Sequence, residues 1–257
     1  MEDLLGQEWE IVPAGGATGE AFYAQFNEQK LFLKRNSSPF LAVLSAEGLV
    51  PKLIWTKRLE TGDVITAQQW LNGRELKPNE MNDEKVAKLL RKIHRSEPLK
   101  GMLSKLGKQP LMPETYLKMV QGGLDNELMQ IPSVKKSVEF LAREVQHLNC
   151  DKFVVCHGDV NHNNWLLGEN NQLYLIDWDS AMIGDPAIDL GLLLYWYIPE
   201  EKWKDWLKIY GVDDSDDLKL RMKWYVLAHT LVSIHWHKQK ARFSEMKRWI
   251  DYLDQIL

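Results

Sequence analysis

The stretch His157-Gly158-Asp159-Val160-Asn161-His162-Asn163-Asn164 decides how this chain is read. It lies between two short apolar runs, Phe153-Val154-Val155-Cys156 and Gln172-Leu173-Tyr174-Leu175-Ile176, that read as strands. Seven of its eight residues are glycine or hydrogen-bonding types, more than a tight turn requires. Thirteen residues after Asn164, at the end of the second run, comes Asp177. One physical reading joins them. Asp159 takes or orients the proton of a hydroxyl nucleophile. Asn164 and Asp177 offer oxygen ligands to a hard cation such as Mg²⁺, which keeps the rest of its shell for phosphate and water. Phosphoryl transfer needs such a set, together with a cation for the phosphate charge and a positioned hydroxyl.

Working outward, the first 70 residues read as short strands and turns. Trp9–Val12, Ala21–Phe26, Lys30–Arg35, Lys52–Trp55 and Val64–Trp70 carry strand-favouring residues beside turn signals. A glycine-rich turn, Pro13 to Glu20, joins the first two, and a short helix is expected over Pro39–Ala46. After Asn72-Gly73 the pattern becomes helical. Val86, Leu89, Leu90 and Ile93 are spaced for one face of a helix opened by Asn82-Asp83. Helices are also expected over Tyr116–Met129, over Val134–Leu148 and from Leu190 onward. The fold class is therefore α+β, with a small β-rich lobe over residues 1–70 and a larger, mostly helical lobe over 71–257. The hinge falls near residues 69–73. Clefts between lobes are favoured ligand sites.

Asp159 followed five residues later by Asn164, then Ile176-Asp177, resembles the catalytic core of protein-kinase-like bilobal folds. His157-Gly158-Asp159, Ile176-Asp177-Trp178-Asp179 and Gly184-Asp185-Pro186-Ala187-Ile188-Asp189-Leu190 together resemble the aminoglycoside phosphotransferase and choline kinase superfamily. That resemblance implies ATP and Mg²⁺ as cofactors and a small-molecule hydroxyl as acceptor. It implies Asp159 as the catalytic aspartate and Asn164 and Asp177 as magnesium ligands. Asp189 would brace the catalytic loop through His157, and Asp179 would support the metal or the substrate pocket. Gly15, Gly16 and Gly19 resemble the loop that covers the nucleotide, where backbone N–H groups approach phosphate oxygens. Lys34 resembles the lysine on the α/β-phosphates, and the backbone of Gln69 and Leu71 would pair with adenine. The sequence departs from the family at one point: Ser37 to Leu44 holds no acid to orient Lys34, and Glu47 is the nearest candidate.

Gly15-Gly16-Ala17-Thr18-Gly19-Glu20 and Gln68-Gln69-Trp70-Leu71-Asn72-Gly73-Arg74 resemble the cell-cycle regulator Z proteins of Gram-positive bacteria, a thiamine/choline-kinase-like group. This implies a ribosyl or deoxyribosyl nucleoside as acceptor, a link to cell division, and a division-ring protein as partner. Choline, thiamine and aminoglycosides stay open as acceptors, as does a non-catalytic nucleotide-binding module on the same fold.

Other features read more plainly. Lys plus Arg is 32 against 36 Asp plus Glu, a net −4 that argues against a nucleic-acid partner. The acidic start, Met1 to Glu10, lacks an apolar signal core, and no run approaches the ~18 apolar residues of a membrane span. Cys150 and Cys156 suit neither a disulfide framework nor a four-ligand zinc site, so a reducing cytoplasm is expected. Gly15-Gly16-x-x-Gly19 does not fit the dinucleotide fingerprint, and no phosphate-loop lysine follows it. His157 and His94 read as structural; His162 reads as a third ligand, a substrate contact or a solvated residue. A metal-dependent phosphohydrolase would need more His and Asp ligands than this loop holds. Eleven tryptophans are unusual. Those of the tail, Trp196, Trp203, Trp206, Trp224, Trp236 and Trp249, read as helix packing or as an aromatic slot for a ring or cationic head.

Overall fold

The computed structural model describes residues 5, 6, 8–14 and 21–257 and contains two compact units. The first comprises the described residues up to Lys77, with Glu97–Met102 and His162–Asp177. The second comprises Pro78–Ser96, Leu103–Asn161 and Trp178–Leu257. The chain changes unit within the polar loop, between Asn161 and His162, and again between Asp177 and Trp178.

In the first unit, β1 (Glu10–Pro13), β2 (Ala21–Phe26), β3 (Gln29–Arg35), β4 (Leu53–Arg58) and β5 (Val64–Gln69) form one antiparallel sheet in the order β1-β2-β3-β5-β4. Asn27, between β2 and β3, takes φ 52°, the left-handed conformation that tight hairpins favour and asparagine tolerates. Alternation along the strands turns Ala24, Leu33, Ile65 and Ala67 inward, with Trp9, Ile11, Phe22, Leu31 and Trp55 packed around them. The other face of β5 is buried too, but polar. Thr66 Oγ1 donates to the Lys34 carbonyl at 3.2 Å, and Gln68 Nε2 donates to the Pro51 carbonyl at 2.8 Å, so neither is stranded. Helix α1 (Phe40–Ala46) follows β3 and buries Phe40 and Leu44.

The second unit holds α2 (Glu84–His94), α4 (Pro113–Gly123), α5 (Pro132–Glu144), α6 (Ala187–Tyr197), α7 (Trp203–Tyr210), α8 (Asp216–Gln239) and α9 (Phe243–Ile256). Helix α3 (Glu97–Lys105) begins in the first unit and ends in the second. The Asp83 side chain caps α2 by accepting the Lys85 N–H at 2.8 Å. Ser215 caps α8 by accepting from Leu218, and Asp216 and Asp217 fill its first turn, so the acidic run opens a helix as its charge suggests. Ala187 to Leu194 of α6 are all buried, as befits a helix apolar on every side. Gly191 lets α6 and α8 close up: a Cβ there would stand 2.8 Å from the Met222 carbonyl oxygen.

Strands β6 (Gly73–Glu75), β8 (Trp165–Gly168) and β9 (Leu173–Leu175) form a three-stranded sheet in the order β6-β8-β9, within the first unit. In the second unit β7 (Val154–Cys156) pairs antiparallel with β10 (Met182–Gly184). The helix expected over Tyr116–Met129 ends instead at Gly122-Gly123, poor helix formers, and a separate turn at Leu128–Gln130 is capped by Asp125. Among the described residues no helix is long and apolar enough to cross a membrane.

Gly191→Ala should lower stability by about 1–3 kcal/mol through overpacking, read as a lower denaturant midpoint at unchanged slope. Gly101→Ala, in α3 with open space around its Cβ, should instead be neutral or stabilising by up to about 1 kcal/mol.

Candidate functional site

The polar loop leaves β7 at Cys156 and is gripped at once by Asp189, in the first turn of α6. The His157 backbone N–H donates to Asp189 Oδ2 at 2.7 Å, and the Gly158 N–H donates to Oδ1 at 2.9 Å. His94 Nε2 lies 3.0 Å from Oδ2, and its Nδ1 lies 2.6 Å from the Tyr210 hydroxyl. Burial alone would raise the Asp189 carboxyl. The hydrogen bond and charge of His94, then the charge of His157 and the Gly158 N–H, outweigh it and hold the group below its ordinary value. The clamp is thus an ionised, fully buried carboxylate bonded at both oxygens.

Gly158 then turns the chain at φ 80°, where a Cβ would meet the Ser180 carbonyl oxygen at 2.8 Å. Only glycine satisfies both the angle and the space. The next residue, Asp159, is half-buried, and its N–H donates to His157 Nδ1 at 3.2 Å. The His157 ring sits edge-on to Trp178 with centroids 4.7 Å apart. Asp189 therefore braces the loop through the backbone of His157 and Gly158, while the His157 ring supports Asp159 from below. Asp179 is exposed in the turn Trp178–Ser180. Beyond Asp159, Asn161 Oδ1 accepts from the Tyr197 hydroxyl at 3.4 Å. His229, on α8, feels the Asp159 charge. Its imidazole is pushed down to about 4 by burial, against the pull of that carboxylate.

In the first unit, a short turn at His162–Asn164 leads into β8. The Asn164 carbonyl accepts the Ile176 N–H at 2.8 Å, one step beyond the Trp165–Leu175 pair of β8 and β9. Asn164 and Asp177 therefore lie at the same end of one hairpin. Asp177 takes φ 62°, which turns it out of the strand, and it is exposed. Lys34 Nζ lies 3.9 Å from Asp177 Oδ1. An amide oxygen and an open carboxylate are hard oxygen donors, a set that fits Mg²⁺ with most of its shell left for phosphate and water. Gly15, Gly16 and Gly19 lie outside the described residues. The Gln69 N–H is spent on the Lys52 carbonyl at 2.8 Å, and Leu71 follows half-buried. A cavity of about 310 Å³ opens beside Gln69 and Leu71, lined also by Ser45, Lys52, Gln172 and Tyr174. None of Lys34, Asn164 or Asp177 lines it. Helix α1 has no acidic residue in its first turn, and Glu47 stands at its C-terminal cap.

Tyr197 and Tyr210, which hold the loop and its clamp, were not expected from sequence. Each sits at the C-terminal end of its helix, where the aromatic ring reads as packing and hides its hydroxyl. Among the described residues, His94, Cys156 and Asp189 are the one trio of His, Cys and acidic residues with ligand atoms within 4.8 Å of one another. Both Asp189 oxygens already accept hydrogen bonds, so the trio is a structural cluster.

Residues 10–225 match the phosphotransferase enzyme family, and the chain belongs to that family. It is an enzyme of the phosphoryl-transferring class. Solved structures share its fold at low identity. The choline kinase LicA from Streptococcus pneumoniae is 19% identical with TM-score 0.65, covering 99% of this chain and 96% of that one. The spectinomycin phosphotransferase APH(9)-Ia, in complex with ADP and spectinomycin, is 17% identical with TM-score 0.72, covering 96% and 92%. A choline/ethanolamine kinase family protein from Mesorhizobium loti is 13% identical with TM-score 0.66, covering 100% and 90%. These likenesses establish the kinase-like α+β fold.

Asp189→Ala should cost about 3–5 kcal/mol, because it strands His94 and two backbone N–H groups. The folded-state carboxyl is depressed, so its contribution is complete above the unfolded value of 3.8 and is lost as pH falls through the folded value. Urea titrations of both proteins should therefore differ alike at pH 7 and pH 5, draw together only below the unfolded value of 3.8, and converge below the lower folded value. In a histidine NMR titration, His229 should show a midpoint at about 4.

Proposed function

We propose that this protein is an ATP- and Mg²⁺-dependent kinase of small molecules, with Asp159 as catalytic residue and a ribosyl or deoxyribosyl nucleoside as acceptor. Residues 1–70 hold the nucleotide; residues 71–257 carry catalysis and the acceptor. The observation that carries this is the double clamp on the polar loop: Asp189 fixes the backbone on one side of Asp159 while the His157 ring takes its N–H. A backbone held so firmly around a half-buried carboxylate is arranged to present that carboxylate to a ligand.

Asp159 accepts the proton of the acceptor hydroxyl as that oxygen bonds to the γ-phosphorus. The bond from the γ-phosphorus to the β–γ bridging oxygen breaks, and ADP leaves with the electron pair. Lys34 meets the α- and β-phosphates, and Gly15, Gly16 and Gly19 cover them. The Gln69 carbonyl and the Leu71 N–H meet adenine. Asn164 and Asp177 would hold Mg²⁺, which when bound screens phosphate charge. Asp179 supports that end of the site. The ADP bound to the spectinomycin enzyme, and the family itself, support a nucleotide donor.

The nucleoside acceptor, the link to cell division and a division-ring partner rest on the resemblance to cell-cycle regulator Z proteins. Choline, thiamine and aminoglycosides are the competing acceptors. A second reading, a nucleotide-binding module without turnover, is favoured by one observation: no acidic residue stands in the first turn of α1, after Lys34.

Asp159→Asn should keep the fold and ATP affinity while lowering phosphoryl transfer at least about a hundredfold, the usual weight of a lost general base. Transfer at the wild-type rate would remove Asp159 from the chemistry. Asp177→Ala should raise the Mg²⁺ concentration needed for half-maximal nucleotide binding. ADP release with no phosphorylated product from any acceptor would favour the module.

A further inference from the structure

We propose that the cavity beside Gln69 and Leu71 is a second ligand site, separate from the nucleotide, and that it takes a small organic anion with a flat apolar body. The binding rests on the cavity itself; its separateness rests on the kinase reading above.

The cavity, about 310 Å³, is of a size that holds a small ligand. Every residue lining it belongs to the first unit. Ser45 and Gly48 come from the end of α1 and the turn after it, Lys52 from the entry to β4, and Gln172 and Tyr174 from the hairpin of β8 and β9. Backbone bonds fix these pieces. The Leu175 N–H donates to the Leu49 carbonyl at 3.0 Å, and the Gln69 N–H to the Lys52 carbonyl at 2.8 Å. Gly48 keeps the space between them open: its φ is 68°, and a Cβ there would stand 4.0 Å from Gln172 Nε2.

Strand register sets the cavity apart from the nucleotide. Lys34 stands opposite Thr66, and Phe32 opposite Gln68, so these four side chains share one face of the sheet. None of them lines the cavity. Gln69, which does, is paired with Leu31 and belongs to the other face. The kinase reading puts the phosphates on Lys34 and adenine on the backbone of residues 69–71. ATP then lies against the Lys34 face, and the cavity is left for another molecule.

The lining selects the charge. Tyr174 is 8% exposed, and among the described residues its hydroxyl makes no hydrogen bond, although it is not sealed from solvent. An acceptor in the cavity would complete it. Ser45 Oγ accepts the Leu53 N–H at 2.7 Å, which leaves its own proton to donate. Gln172 Nε2 makes one long bond, 3.4 Å, to the Gly48 carbonyl. The exposed Lys52 ammonium enters no ion pair or hydrogen bond among the described residues. No lining residue is acidic. Hydroxyl and amide donors around a full positive charge suit an anion, and a cation would meet no carboxylate. Val50, Pro51 and Leu71 supply apolar area for the body of the ligand.

The test is a titration of the full chain with naphthalene-2-carboxylate, its neutral carboxamide and ADP, followed by protein NMR and calorimetry. The carboxylate should bind with Kd of about 1 mM or tighter, the ordinary yield of a ligand of this size. The carboxamide should bind about tenfold more weakly. Lys52→Gln should abolish that difference. Tyr174→Phe, which removes only the hydroxyl, should weaken the carboxylate about tenfold. Unchanged thermal midpoints report that both variants are folded. Saturating ADP should leave the carboxylate bound. No binding of the carboxylate at about 10 mM overturns the site. Equal binding of the carboxamide, or wild-type affinity in both variants, overturns the anion assignment. Displacement by ADP overturns the separateness and returns the cavity to the nucleotide. Carboxylate binding to a chain that takes no ADP supports the site and overturns the kinase reading alone.

Discussion

The buried carboxylate of Asp189 is the constraint on which the loop depends. A carboxylate without water is costly unless every oxygen is bonded, and here two backbone N–H groups and an imidazole supply the bonds. Those two N–H groups belong to the residues just before Asp159, so the requirement to satisfy a buried charge and the requirement to fix a functional loop are met by the same bonds. The glycine at 158 follows from this geometry. A chain drawn tightly against α6 must turn back under Ser180, and a side chain there would collide with backbone.

The Asn164 and Asp177 pair depends on a different device. A hairpin sets its two ends opposite each other by register alone, and the Ile176–Asn164 bond carries that register one step past the last strand pair. The left-handed turn at Asp177 then directs its carboxylate away from the strand, within 3.9 Å of the Lys34 ammonium. Thirteen residues of separation are thus reduced to neighbouring positions by ordinary strand pairing.

Much of this was legible in the sequence because its causes are local. Alternation marked the strands of the first sheet, Asp83 marked a helix start, and the density of polar residues from His157 to Asn164 marked the loop. What escaped depends on distant partners. Strand β8 is too short to declare itself and is defined by Gly73–Glu75, some ninety residues earlier. Helix α4 stops at Gly122-Gly123 and Asp125 then accepts the Leu128 N–H of a new turn, local preferences that override the apolar spacing running through them. Asp189 was expected to act through His157, and does so by its backbone, a distinction carried by no residue type. Trp196 and Trp249 could each be named as packing or slot, but only the crossing of three helices sets them beside His229.

Helix α9 has a consequence for the order of events during synthesis. It supplies Trp249, and it spans Phe243–Ile256, after every other element described. On a ribosome the clamp around Asp189 emerges first, while the last ring remains in the exit tunnel. A nascent chain thus carries every hydrogen-bond partner of that clamp before it carries the third ring of the cluster. A chain cut before Phe243 would keep Asp189 and its hydrogen-bond partners and lose the helix that packs along α8.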